Sequence, residues 1–293
     1  MNSESLKIFC MVAEELSITR AAMRLGRVPS NITTRIQQLE SDLGEPLFIR
    51  QGKQMQLSEA GTRFLQYAYR LLALEQEARH VTSLGREGGQ LRIGSMESTA
   101  ACRLPQPLAA YHQQHPTTQL SLLTGTSQAL IEQVRREQLD CAFVALPQDL
   151  YDINQLCDMG IQSQVVWQEQ LVLLLPEQDK LAKTASDIQT RSLATFAQGC
   201  SYRYIAEQWL NIPNQRDWHI QQLSSYHAMV ACVSAGSSIA LLPAQLFHSM
   251  GDASSLLASL PVTTCDTYLI YRTGYQVPAF TAFKTLILSR EVN

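Results

Sequence analysis

The stretch that most limits what this chain can become is residues 27–44, RVPSNITTRIQQLESDLG. Ile32, Ile36, Leu39 and Leu43 fall at i, i+4, i+7 and i+11, one apolar stripe of a helix that begins near Pro29-Ser30 and stops near Gly44. Such a stripe has to be covered, and the flanking sequence offers the cover. Residues 4–15 place Leu6, Phe9, Cys10 and Ala13 at helical spacing. Ser17 or Thr19 can cap a short second helix, RAAMRLG, ended by Gly26. Downstream, PLFIRQGKQMQLS holds two strand-like pieces around Gln51-Gly52-Lys53, a hairpin with its turn at Gly52. Three helices and a hairpin over residues 1–58 describe an all-α winged helix-turn-helix.

Charge sharpens that reading. The chain carries a net charge of −3, so it is no basic nucleic-acid coat overall. From Leu16 through Leu39, however, Arg20, Arg24, Arg27 and Arg35 occur with no acid, a compact positive patch.

Ser58 can cap a further helix from Glu59 to about Leu84, roughly 40 Å long at ~1.5 Å per residue. Phe64, Ala68, Leu71, Ala78 and Val81 lie near one side of it. A partner helix from a second chain is the plain way to cover that stripe, and docking on the chain's own domains is the alternative. Residues 59–88 are read as linker helix and hinge, with GREGGQ (85–90) as the flexible joint. Beyond it strands and helices alternate, predicting an α/β domain over 89–293 with largely parallel pairing. Strands are expected at 91–95, 118–123, 140–145, 171–175, 193–197, 217–223, 238–242 and 265–271. Helices are expected at 101–114, 127–138, 201–211, 225–235, 243–249 and 278–289. A strand-rich break near 164–171 divides it into lobe I, 89–163 with 268–293, and lobe II, 164–267.

No run of about 18 apolar residues exists, so no membrane span or membrane partner is expected. The N-terminus meets acids too soon for a signal peptide, which points to the cytoplasm. The seven scattered cysteines read as reduced small hydrophobes. His112 and His115 have an i, i+3 spacing but no matching Cys or acid cluster; no metal, cofactor or catalytic residue is expected, and no G-x-S-x-G or G-x-x-x-x-G-K-[ST] motif occurs. An enzyme is therefore not expected. A small-molecule-binding protein without a DNA role is the rival class, which the first 60 residues oppose.

Particular motifs then narrow the reading. S-x-T-R-A-A (17–22), I-x-x-L-E (36–40), L-G-x-P-L-F (43–48) and L-S-E-A-G (57–61) resemble the DNA-binding end of LysR-type transcriptional regulators. L-D-x-A-F (139–143) and A-G-x-x-I-A-L-L-P (235–243) resemble that family's effector domain, so the resemblance spans essentially the whole chain. It implies a dimerising linker helix, a two-lobed periplasmic-binding-protein-like sensor, and a homodimer or homotetramer controlled by a small inducer. A promoter operator in double-stranded DNA and a contact with RNA polymerase are the macromolecular partners to expect. Many members carry Ser-Gln-Pro-Ala where this chain has Val28-Pro29-Ser30-Asn31, and Ser-Arg where it has Thr33-Thr34. The variant stretches RVPSNITTRIQQLE, GSMESTAACRLP and SSYHAMVACVSAG look most like a subgroup that regulates putrescine utilisation and diamine efflux, which implies catabolic or efflux target genes.

With the apolar stripe inward, Asn31, Thr34, Arg35 and Gln38 face away from the core and can reach base edges in a major groove, with Thr33 and Pro29 beside them. Ser30 at the helix start suits phosphate, as do Arg50 and Lys53 on the wing, while Arg20, Arg24 and Arg27 can steer the approach. In the sensor, ligand groups are expected where helices start after strands: Glu97, Ser98, Thr99, Thr126, Ser127, Ser201, Tyr202 and Tyr226. A diamine such as putrescine or cadaverine would need a carboxylate and aromatic faces; Glu97, Tyr202 and Tyr226 supply them, with Asp149 or Asp152 for the second ammonium. An amino acid or aromatic carboxylate is the alternative inducer, since helix N-termini favour anions. Helix capping by the hydroxyls, and pairing of Glu97 with Arg103, are the structural alternatives.

Overall fold

The computed structural model describes residues 2–51, 54–82, 89–251 and 257–289. Two compact units divide the chain: Met1–Arg86 with Arg136–Gln138, and Glu87–Arg135 with Leu139–Asn293.

The first unit opens with helix α1 (Ser3–Glu15), capped by the Asn2 side chain, which accepts from the Ser5 N–H at 2.9 Å. Ser17 caps α2 (Ile18–Arg24), and Pro29 opens α3 (Pro29–Leu43), where its missing N–H costs nothing. Gly44, at φ 76°, ends α3 in a conformation that favours glycine. Strands β1 (Phe48–Gln51) and β2 (Gln54–Leu57) form an antiparallel hairpin. Its predicted turn, with the DNA-contact candidate Lys53, lies outside the described residues, and the Arg50 side chain is likewise not described.

Ile32, Ile36 and Leu39 are buried with Phe9, Val12, Ala22 and Leu47 in one core. Phe9 sits between Phe48 and Phe64, at ring-centroid distances of 5.4 and 5.2 Å. Helix α4 (Glu59–Thr82) starts at Ser58, whose Oγ accepts from Gly61 N–H at 2.8 Å. The first turns of α4 dock on this same core through Phe64, Leu65, Ala68 and Leu72, so Phe64 and Ala68 of the expected dimer stripe are covered within the first unit, while the Val81 side chain lies outside the described residues. Tyr67, Leu71 and Leu74 remain exposed.

Two of the family-like motifs prove to be struts. The Glu40 carboxylate accepts the N–H groups of Leu47 (2.7 Å) and Phe48 (3.1 Å), tying α3 to the start of the wing. Gly61 packs so tightly that a Cβ would lie 2.0 Å from the Leu47 carbonyl oxygen.

The second unit is built on a six-stranded mixed sheet. Its strands are β3 (Gln90–Ser95), β4 (Gln119–Thr124), β5 (Cys141–Ala145), β6 (Ile161–Leu175), β9 (Ala240–Pro243) and β10 (Ala258–Arg272), in the order β4-β3-β5-β10-β6-β9. Beside it, β7 (Ser192–Thr195) pairs in parallel with β8 (His219–Gln222), and a bridge from Leu193 to Ile239 joins them to the sheet. The connecting helices are α5 (Glu97–Cys102), α6 (Pro105–Gln114), α7 (Ser127–Arg135), α8 (Ile153–Asp158), α9 (Ser201–Trp209), α10 (Tyr226–Ser234), α11 (Ala244–Ser249) and α12 (Pro278–Ser289).

Pairing is less parallel than expected. β3 is parallel to β4 and β5, but β10 runs antiparallel to β5 and β6, and β6 antiparallel to β9. The reason is that β6 and β10 are each 15 residues long, far beyond the expected 171–175 and 265–271, and lie against each other along their length. The extra residues of β6, IQSQVVWQEQ, are wet on one side, and Pro261 in β10 sits beside a register shift; both features hid the strands. The expected helix 101–114 is two helices broken before Pro105, and α8 was not expected. Cores lie on both sheet faces, with Trp167 stacked on Phe143 in one of them. All seven cysteines are free, as expected; Cys10, Cys141 and Cys265 are buried and Cys157 is exposed.

Candidate functional site

On the outer face of α3, Asn31, Thr33, Thr34 and Gln38 are exposed and Arg35 is half-buried. Several of these groups are already engaged within the helix. Thr33 Oγ1 donates to the Pro29 carbonyl (3.1 Å), Thr34 Oγ1 to the Ser30 carbonyl (3.0 Å), and Gln38 Nε2 to Asp42 Oδ1 (2.9 Å). Pro29 and Ser30 are exposed at the helix mouth.

The positive patch needs correcting. Arg24 Nη1 lies 2.8 Å from Glu15 Oε1 and Arg20 Nε 3.1 Å from Glu15 Oε2, while Arg27 pairs with Glu4. The hydrogen bond and charge of Arg24, with Arg20 adding to them, hold the Glu15 carboxyl below the usual carboxylate range. Glu15 borders the acid-free window and Glu4 lies further upstream, but both fold back onto it. Among the described residues, Arg35 has no acidic partner.

In the second unit, the carboxyl ends of the parallel strands β3, β4, β7 and β8 open on one cleft of about 500 Å³. Glu97, Thr126, Ser127, Tyr202 and Tyr226 line it, as do Met96, Phe196, Gln222 and Ser224. Phe196 and Gln222 were missed, although each stands at a strand's carboxyl end, where the expected loops were sought. Phe196 meets Tyr226 edge-on at a centroid distance of 4.8 Å. Burial pushes the Tyr202 and Tyr226 phenols well above their ordinary range, so both stay neutral.

Other expected ligand residues stand elsewhere. Ser98, Thr99 and Ser201 are buried behind the lining. Ser201 Oγ donates to the Ala145 carbonyl at 2.7 Å, fastening α9 to β5. Asp152 caps α8 by accepting from Asn154 N–H at 2.8 Å, and Asp149 offers only its carbonyl, to Tyr204; neither carboxylate lines the cleft. They follow β5, in a loop whose Leu150 and Tyr151 line a separate pocket with Gln198, Gly199 and Tyr204.

Glu97 is not paired with Arg103, which instead grips Glu169 at 2.8 and 3.2 Å. One Glu97 carboxyl oxygen is buried without a hydrogen-bond partner, and so are the hydroxyls of Ser98, Thr99, Tyr202 and Thr267. Desolvation raises the Glu97 pKa above the carboxylate norm, opposed by the nearby His227 imidazole and the Tyr226 backbone N–H. No lysine or arginine is among the residues that line the cleft.

Comparison with known proteins gives the same division. Residues 3–62 match the bacterial regulatory helix-turn-helix protein, lysR family, and residues 84–291 match the LysR substrate binding domain. The chain is 32% identical to the HTH-type transcriptional regulator GltR of Bacillus subtilis, over 97% of this chain and 95% of that protein. It is 34% identical to the HTH-type transcriptional regulator YofA of Bacillus subtilis, over 98% and 97%. In fold it is similar to full-length CbnR solved in complex with its target DNA, with a TM-score of 0.64, 24% identity and coverage of 98% and 99%. A match to ArgP from Mycobacterium tuberculosis has a TM-score of 0.66, 16% identity and coverage of 100% and 98%. With both of its parts matched in order and full-length relatives above 30% identity, the chain belongs to the LysR family of DNA-binding transcriptional regulators.

Proposed function

We propose that this regulator responds to a small effector bearing an ammonium group, held in the cleft by Glu97. The observation that carries the reading is the Glu97 carboxyl itself: half-buried, with one oxygen lacking a partner, in a cleft with no lysine or arginine among its described lining residues. A buried carboxylate without a partner is costly, and a bound cation removes that cost.

An amino acid is the best fit. Its ammonium meets Glu97 and its carboxylate meets the Thr126 and Ser127 hydroxyls, which can donate from the cleft wall. A short-chain diamine such as putrescine or cadaverine is the second reading, favoured by the absence of lysine and arginine from the lining and by the Tyr202 and Tyr226 rings. The cleft supplies one carboxylate, which suits one ammonium better than two. The exposed Tyr67, Leu71 and Leu74 on α4 support a homodimer or homotetramer, with operator DNA bound by α3 and the wing.

Thermal-shift measurements on the full chain against amino acids, putrescine, cadaverine and aromatic carboxylates test the reading. A shift with an amine-bearing compound that is lost in Glu97→Gln supports it. A shift with aromatic carboxylates alone defeats it.

A further inference from the structure

We infer that this chain recognises thymine in its operator through the methyl group of Thr34, an apolar contact at the centre of the recognition face. The inference rests on the DNA-binding role of the first unit and assigns the chemistry of one contact within it. At about 100° per residue, Thr34 points almost directly away from Ile32, Ile36 and Leu39, the three α3 residues buried in the core. Ser30, one turn before, and Gln38, one turn after, lie on the same line.

Two donor protons along that line are already engaged within the helix. The single hydroxyl proton of Thr34 goes to the Ser30 carbonyl at 3.0 Å, and the Gln38 amide donates along the helix to Asp42 at 2.9 Å. Thr34 is exposed, so its methyl remains to meet a partner. In the major groove thymine alone among the four bases carries a methyl group, at C5. An exposed threonine whose proton is returned to its own helix is matched to that group.

The test uses the full-length chain and duplexes it selects from a random pool. Each thymine of the selected half-site is replaced in turn by deoxyuridine, which removes only the C5 methyl. Binding of the wild type, Thr34→Val and Thr34→Ser is measured at one salt concentration, with circular dichroism to check that helix content is unchanged. The expected result is one position at which uracil weakens the wild type about fourfold, the worth of one buried methyl-sized group. Thr34→Val keeps that loss. Thr34→Ser, which retains only the hydroxyl, binds the thymine and uracil duplexes alike. The inference is overturned if Thr34→Ser keeps the uracil penalty while Thr34→Val loses specific binding, because the hydroxyl is then the reader. It is overturned equally if no uracil replacement affects the wild type. Failure to select any preferred duplex would instead overturn the sequence-specific DNA reading beneath it, and the inference with it.

Discussion

Arg103 clasps Glu169 through two hydrogen bonds, Nε at 2.8 Å and Nη2 at 3.2 Å, with the two side chains only 17% and 6% exposed. The pair ties the α5–α6 junction to β6, beside the cleft wall. Removing one partner leaves a buried charge uncompensated, which costs about 3–5 kcal/mol. Glu169→Ala and Arg103→Ala should each lower urea stability by about that amount. The double replacement Arg103→Met with Glu169→Leu should recover most of it, since the pair's net contribution is small once both charges are gone.

Gly61 is fixed by contact with Leu47 rather than by its own backbone angles. A Cβ there would stand 2.0 Å from the Leu47 carbonyl oxygen, so either α4 or the start of the wing has to move. Gly61→Ala should cost about 3 kcal/mol, the upper end for overpacking. Operator affinity should collapse while ligand-induced thermal shifts of the second unit persist. Equal DNA binding by the variant in a gel-shift titration would contradict this account.

How much was legible follows from what each segment buries. The stripe Ile32, Ile36, Leu39 was readable because one helix face meets a core and the other does not. Strands β3, β4 and β5 were readable because their short runs end in turn residues. The outer halves of β6 and β10 were not, because they are half-solvated and carry glutamine, threonine and proline. The search of strand carboxyl ends picked out Glu97, Thr126, Ser127, Tyr202 and Tyr226, which line the cleft. The same search could not tell a lining hydroxyl from a fastening one: Ser201 follows a strand-end loop but spends its proton on Ala145. Nor could local sequence show that Glu15 and Glu4 would fold back on Arg20, Arg24 and Arg27. Those partners are 5 to 23 residues away, outside any helical repeat.

The Glu15 carboxylate is the shared anion of Arg20 and Arg24; without its charge Arg24 keeps only the longer contact to Glu14, at 3.9 Å, and Arg20 only the Glu15 backbone carbonyl. Glu15→Gln should therefore tighten DNA binding and steepen its salt dependence, by a slope of about 1 for each released arginine that reaches a phosphate. A titration series between low and moderate salt measures it. An unchanged slope would mean that neither Arg20 nor Arg24 approaches the duplex.

If Glu97 holds an ammonium ligand as proposed, ligand affinity and stability should depend on pH in opposite directions. Its pKa is raised in the folded chain by desolvation, so the native state holds the carboxyl proton more tightly than the unfolded chain does. As pH rises from the ordinary carboxylate range through the raised value, the fold loses stability, because the charge must then be held half-buried. Glu97→Gln should thus melt higher than the wild type at pH 7, and the two should converge as pH falls below the ordinary carboxylate range. Binding of an ammonium ligand runs the other way: it needs the ionised carboxylate, so wild-type affinity should weaken as pH falls through the raised pKa. In Glu97→Gln, affinity for the same amine should be about tenfold weaker at pH 7 and flat across that interval, the tenfold corresponding to roughly 1.4 kcal/mol for one partly solvated charge-assisted contact. Calorimetric titrations over a pH series from neutral down into the ordinary carboxylate range, on both proteins, decide it. An affinity for the amine that is independent of pH in the wild type would remove Glu97 from the site.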